Sequence, residues 1–243
     1  MKKTIYYSTF IIALTVMIFS CKKEEPIQLS TDETAEIAAS ALNSENGGIT
    51  TQIYDATQLA EQLYAEETLK SSVDNDMTYI VSSPDGARIY YNYSFHYNYG
   101  MTYNTAIQAF LFYMNFDTDG SYISSRISSN DNSDGRFELT GVEAVNEFYT
   151  VSGSATNTGT KTTYLKEDKT VNSTIKFNFS DVKINKSTQK IVEGTASVQI
   201  NGNLNGGESF TFSGSIEYQS NGTIILIISG EQFIIDVATG EIH

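Results

Sequence analysis

Few residues in this chain have the types and spacing that catalysis uses. A serine or cysteine nucleophile needs a histidine base. The chain holds two histidines, His96 inside a tyrosine-rich run and His243 at the last position, and one cysteine, Cys21. The same count argues against a zinc site built from His and Cys ligands. Paired carboxylates could carry out glycoside hydrolysis, but 29 scattered Asp and Glu residues nominate no pair. A non-enzymatic binding role is therefore expected, with a carboxylate-based glycan hydrolase as one alternative.

Two segments have the spacing that opens a calcium-binding loop. In "NFDTDG" these are Asn115, Asp117, Asp119 and Gly120, and in "NDNSDG" they are Asn130, Asn132, Asp134 and Gly135. Such a loop closes on a bidentate Glu at its twelfth position, and the residues there are Arg126 and Gly141. A weak calcium site at Asn115, Asp117 and Asp119 is one reading. The favoured one is a pair of hairpin turns ending in Asp-Gly. No other metal or cofactor is expected.

The most unusual run is "YYNYSFHYNYGMTYN", residues 90–104. In a strand, Tyr91, Tyr93, Phe95, Tyr97 and Tyr99 share one face, and Tyr90, Asn92, Ser94, His96 and Asn98 share the other. Five aromatics on one face form either a core ladder, with hydroxyls reaching its margins, or a ligand-binding platform for a sugar or an extended apolar cargo. The next segment, "AIQAFLFYMNF", is largely apolar on both faces and favours the core reading. The absence of Trp weakens the sugar reading.

Stepping outward along the chain, Lys2 and Lys3 precede the apolar run "TIYYSTFIIALTVMIFS", which ends at Cys21. This is the charged, apolar and small-residue order of an export signal over residues 1–20, and it is too short for a comfortable membrane span. Ile18, Phe19, Ser20 and Cys21 resemble the lipobox of bacterial lipoproteins; Phe19 departs from the small residue usual there. Glu24 and Glu25 after Lys22 and Lys23 resemble the charged tag of surface-exported lipoproteins of the Bacteroidota. The resemblance implies a covalent diacylglycerol and an N-acyl chain on Cys21. Three acyl chains exceed what stable anchoring requires. It also implies placement at the outer membrane of the cell envelope, on its periplasmic face or at the cell surface. A lone exported thiol has no partner for an internal disulfide, which leaves acylation, intermolecular pairing or free reactivity.

Loss of residues 1–20 removes two lysines and no acid, so 15 basic against 29 acidic residues become 13 against 29, and the formal charge moves from −14 to −16. That field repels nucleic acid and anionic head groups. Membrane contact is thus expected through the lipid alone, with a protein, glycan or hydrophobic ligand left open.

Residues 21–30, "CKKEEPIQLS", read as a polar tether. Ser30 and Glu33 form a capping box ahead of a first helix whose Ile37, Ala38, Ala41 and Leu42 share a face. Asp55 and Gln58 give a similar signature before "ATQLAEQLYAEETLK", where Leu59, Ala60, Leu63 and Tyr64 align and Lys70 sits at the C-terminal end. From Met77 onward the period changes to two, with turn-forming clusters at "SPDG", "DTDG", "NSDG", "NTG", "NGNLNGG", "SNG" and "ATG". Strands are expected at "STIKFNFSDVKI", "KIVEGTASVQI", "SFTFSGSIEYQ", "TIILIISG" and "QFIIDV".

The expected fold is α+β: two N-terminal amphipathic helices packed on a large curved antiparallel β-meander. Residues 31–243 would form one domain, with 31–72 helical and 77–243 the sheet. The arrangement resembles the half-barrel with helical lid of lipoprotein-handling periplasmic carriers. That resemblance implies the second alternative, a carrier or chaperone of hydrophobic or lipidated cargo. Replacing Cys21 with Ser should abolish metabolic labelling with radioactive palmitate and release the protein from the membrane fraction; a variant that is still labelled would exclude the lipoprotein reading.

Overall fold

The computed structural model describes residues 28–44, 47–65, 74–166, 168–205 and 207–243. The export signal, Cys21, most of the tether, Lys70 and the expected helical end at 66–72 lie outside the described residues. Among the described residues, two helices, α1 (Thr31–Leu42) and α2 (Ile49–Ala65), precede ten strands. These are β1 (Asn75–Ser82), β2 (Tyr90–Asn104), β3 (Ala109–Ile123), β4 (Ile127–Thr140), β5 (Phe148–Thr163), β6 (Lys169–Asn185), β7 (Lys190–Leu204), β8 (Ser209–Tyr218), β9 (Thr223–Ile228) and β10 (Glu231–Asp236). Every strand pairs antiparallel with its neighbours in sequence, so the sheet is a pure meander with β1 and β10 as its edges.

The sheet curls around the helices. Helix α1 touches β4 and β5 and also β9 and β10, while α2 touches β2 to β5. Reaching strands that lie five places apart in the sheet requires α1 to sit inside the bend. Three register shifts, at Val151/Gly153, Ser180/Lys183 and Lys183/Ile184, add the local twist that bulges bring.

Helix α1 starts where the sequence places it. The Ser30 hydroxyl accepts from the Glu33 N–H at 3.3 Å, and the Ser30 N–H donates to Glu33 Oε2 at 2.8 Å. The single apolar stripe expected of it is corrected, because every residue from Glu33 to Leu42 is buried. Four of these are alanines, and small side chains let a helix fit where backbone closes in from several sides.

Helix α2 starts six residues before the Asp55 cap signature, so Asp55 lies within the helix. Its first turns, "ITTQI", are rich in β-branched residues of modest helix propensity. Burial of the apolar Ile49 and Ile53 prevails over that preference. Gln58, Glu61 and Gln62 face solvent.

Three turn assignments are also corrected. "DTDG" lies inside β3, "NSDG" inside β4 and "NTG" inside β5. Strand pairing along both edges outweighs the turn preference of their residues.

The inner face of the sheet supplies the core, including Phe95, Tyr97, Phe112, Phe137 and Phe177. Phe95 has no exposed surface and stacks on Tyr79 at a centroid distance of 4.8 Å. Phe95→Ala should therefore destabilise the fold by roughly 3–5 kcal/mol, as truncation of a buried aromatic does. Chemical denaturation measures this, and a loss below about 0.5 kcal/mol, the scale of an exposed substitution, would contradict the packing described.

Candidate functional site

The aromatic ladder faces the helices. Tyr93, Phe95 and Tyr97 are buried, and Tyr91 and Tyr99 are half-buried at its two ends. Its hydroxyls reach interior carboxylates. Tyr97 donates to Asp55 Oδ2 at 2.6 Å, Tyr79 donates to the same oxygen, and Tyr93 donates to Asp131 Oδ1 at 3.2 Å. The Asp55 cluster opens on a cleft of about 300 Å³ lined by Gln58, Leu59, Gln62 and Met77. Burial pushes the Asp55 carboxyl above its ordinary value, and the two phenol donors offset only part of that. Burial, with Asp55 beside them, raises both Tyr79 and Tyr97. His96 projects from the opposite face, 3.0 Å from Asp76.

Asn115, Asp117 and Asp119 occupy the outer side of β3. Successive outward residues of a strand stand about 7 Å apart, so these three form a line where a calcium loop would wrap around an ion. Antiparallel pairing places Asp117 opposite Asp134 and Asp119 opposite Asn132, which brings the two sequence motifs side by side on the open sheet. Arg136 donates to Asn115 Oδ1 at 3.3 Å. Among the described residues, no group of three or more His, Cys, Asp or Glu side chains could hold a metal ion.

A second cleft, of about 400 Å³, is lined by Glu36, Arg88, Tyr122, Ser124, Arg126 and Glu241. Arg126 is engaged there with the buried Glu36 and so serves to hold α1. Burial nevertheless pushes Glu36 up, with the Arg126 charge opposing it.

A further concavity lies on the outer face, away from the helices, and sequence reasoning missed it. It is a groove of about 540 Å³ spanning β5 to β8. Two rows of side chains cross it. Thr160, Asn172, Asn203 and Ser209 are register neighbours on four consecutive strands, and so are Thr158, Thr174, Asn201 and Thr211. Among the described residues, no charged side chain lines the groove, although the chain carries a formal charge of −14.

Hydrogen bonds fix several of these groups. Thr160 donates to Asn172 Oδ1 at 2.7 Å, Ser209 to Asn203 Oδ1 at 2.7 Å and Thr211 to Asn201 Oδ1 at 3.0 Å. Each asparagine thereby turns its Nδ2 donors away from its own hydroxyl partner. On the inner side beneath the groove, Gly159, Ser173 and Gly202 are in register across three strands. A Cβ on Gly159 would meet Asp131 Cβ at 2.5 Å, and one on Gly202 would meet the Phe210 ring at 2.6 Å. Asp131 and Phe210 thus occupy the space that side chains at these two positions would take.

No protein-family model, curated protein or solved structure matches the chain. Chemistry at the groove therefore rests on its own groups. Neutral hydroxyls and carboxamides can exchange hydrogen bonds with an uncharged polar ligand, but none of them can act as a general base near neutral pH.

The Asp55 cluster gives a pH signature. A carboxyl whose folded value is raised contributes stability that is complete below the unfolded value and is lost as pH rises through the folded one. Asp55→Asn removes that loss. The melting temperature of the variant should thus gain on the parent as pH goes from about 4 to about 7. A difference that stays constant, or shrinks, across this range would contradict the raised carboxyl.

Proposed function

We propose that the chain is a non-enzymatic, lipid-anchored protein of the bacterial cell envelope that binds its ligand on the outer face of its sheet. Cys21 would carry the diacylglycerol and N-acyl chains that hold it to the outer membrane, on either the periplasmic or the external side. Lys169 Nζ donates to the Gln28 carbonyl at 2.8 Å, so the chain enters the domain beside the β5–β6 hairpin. Six residues separate Cys21 from Gln28, seven chain steps with a reach of at most about 25 Å. The domain would sit close to the bilayer with the length of its sheet pointing away.

The observation that carries this reading is the contrast between the two faces of the sheet. The inner face is filled by α1 and α2, and a carrier of hydrophobic cargo would have to expel them. The outer face is open and bears the uncharged groove. Hydrolysis would call on carboxylates such as Asp117 and Asp134, which stand exposed on the sheet and outside the groove. The neutral rows, most of whose members are exposed, suit a neutral hydrogen-bonding partner, since no charge has to lose its water on binding.

The lipidated protein can be tested in sedimentation with detergent-extracted cell-envelope material from its host. Thr160→Arg combined with Asn172→Arg should abolish co-sedimentation while leaving the melting temperature within about 2 °C, because both sites are exposed. Unchanged co-sedimentation by a folded double variant would remove the outer face as the binding surface.

A further inference from the structure

The groove is one end of a longer feature. Tracing register partners from Ser209 back across the sheet gives Asn203, Asn172, Thr160 and Asn130, then Ser121, Asn92 and Ser82. Eight consecutive strands thus each contribute one Ser, Thr or Asn to a single row. The row runs perpendicular to the strands on the outer face, and all but Ser121 are exposed. With strands about 4.8 Å apart the row is about 34 Å long. Its side chains order one another where they pair: Ser82 donates to Asn92 Oδ1 at 2.9 Å, as Thr160 does to Asn172 and Ser209 to Asn203 at 2.7 Å. Among the described residues, the Nδ2 groups of Asn92, Asn172 and Asn203 have no protein partner. The row therefore presents fixed amide donors at intervals along its length.

One flank of the row carries exposed rings. Tyr90 is 53 % exposed and lies two residues from Asn92 on β2, and Ile123, its register partner, lies two residues from Ser121 on β3. Tyr164 is 41 % exposed and hydrogen-bonds Ser128, two residues from Asn130 on β4, at 2.8 Å. The other flank turns from neutral to charged: one strand position further from the rings come Asp119 and Asn132, then His96, Asp117, Asp134 and Lys176. Across β2 to β5 the charge-free track therefore runs between Tyr90 and Tyr164 on one side and ionic groups on the other.

We infer that this row is a track for an extended, uncharged polysaccharide laid across the strands, with the β5–β8 groove as its deepest subsite. The inference rests on the outer-face reading above and names its ligand class. The ligand chemistry follows from three properties on the same surface. Repeated donors and acceptors match repeated hydroxyls. The lack of charge fits a neutral chain and disfavours a polyanion in a domain already strongly acidic. Exposed tyrosine rings beside the row offer apolar faces on which a sugar ring can rest while its hydroxyls meet the asparagines. The strand spacing also approximates the advance of one pyranose unit along an extended chain, so successive units could meet successive strands. Preordering by the Ser and Thr hydroxyls lowers the entropy lost when the asparagines engage a ligand.

Affinity electrophoresis of the lipidated protein in detergent tests the inference, with gels containing a soluble neutral β-glucan, a neutral galactomannan or a neutral α-mannan, and polygalacturonate as the charged control. At least one neutral polymer should retard the protein while polygalacturonate does not. Asn172→Asp with Asn203→Asp, nearly isosteric but charged, should weaken that retardation about tenfold or more, about 1.4 kcal/mol. Tyr164→Ala should weaken it as well, whereas Asn178→Asp, on β6 outside the row, should not. The inference fails if no neutral polymer retards the protein, if polygalacturonate retards it equally, or if the doubly charged row binds as the parent does. Loss of envelope co-sedimentation in the groove variants without retardation by any neutral polymer would retain the outer-face reading and overturn the polysaccharide.

Discussion

Ten strands bend around a helix that has almost no solvent side, and the rest of the structure follows from making that burial tolerable. Helix α1 brings Glu33 and Glu36 into the interior, where an unpaired carboxylate costs several kcal/mol. Each meets one cation from a different part of the sheet: Glu33 meets Lys169 of β6 at 3.0 Å, and Glu36 meets Arg126 of the β3–β4 hairpin. The two sites do not end alike. Burial pushes Glu33 up, but the Ser30 N–H, the Ser30 hydroxyl and Lys169 together hold it below its ordinary value. Glu36 has the single arginine, and burial prevails. The capping box thus does more than begin a helix, because it supplies the additional donors that let Glu33 stay ionised inside the curl.

A second polar anchor lies deeper. Lys161 of β5 is fully buried and 2.7 Å from Asp131 of β4, and Tyr93 reaches the other oxygen of the same carboxylate. Asn157 and Ser133 pair nearby at 3.0 Å. Such an interior is not the most stable use of the space, since a hydrophobic replacement of a buried ion pair is often neutral or better. Its effect is on register. A slip of β5 by one residue would carry Lys161 to the outer face and strand Asp131 without its cation. In a meander built from ten similar strands, a pair that tolerates only one alignment fixes the centre of the sheet.

The sequence reveals the elements that local chemistry determines and hides those that distant contacts determine. Strand alternation in "SFTFSGSIEY" is visible because one face is apolar, and Phe210, Phe212, Ile216 and Tyr218 turn inward as their pattern requires. "NDNSDG" carries no such contrast. Asp131 and Ser133 are buried there while Asn130, Asn132 and Asp134 are exposed, so polar residues occupy both faces and the stretch reads as a turn. The start of α2 is hidden for the same reason, because a β-branched run becomes helical only when a core receives it. The outer row is hidden differently. Its members stand at 82, 92, 121, 130, 160, 172, 203 and 209, an irregular series set by hairpin lengths, and no periodicity along the chain can display a line that crosses it at right angles.

An open sheet of this length also has to live with two edges. An exposed edge strand is a template for pairing with another chain, and filling the curl with helices keeps β1 and β10 from meeting. The two edges are protected by different means. β1 is eight residues long, places Asp76 outward within 3.0 Å of His96, and exposes Ile80 as its one large apolar group. β10 is shorter, six residues, and the chain folds back over it: Ile242 bridges Ile235, and the His243 N–H donates to the Ile234 carbonyl at 2.9 Å. Glu231 at its start also accepts from Thr31 of α1, which ties that edge to the helix inside. With the inner face filled by the helices, the outer face is left uncovered among the described residues, and along it the neutral row and the ionic positions of β2 to β4 lie side by side.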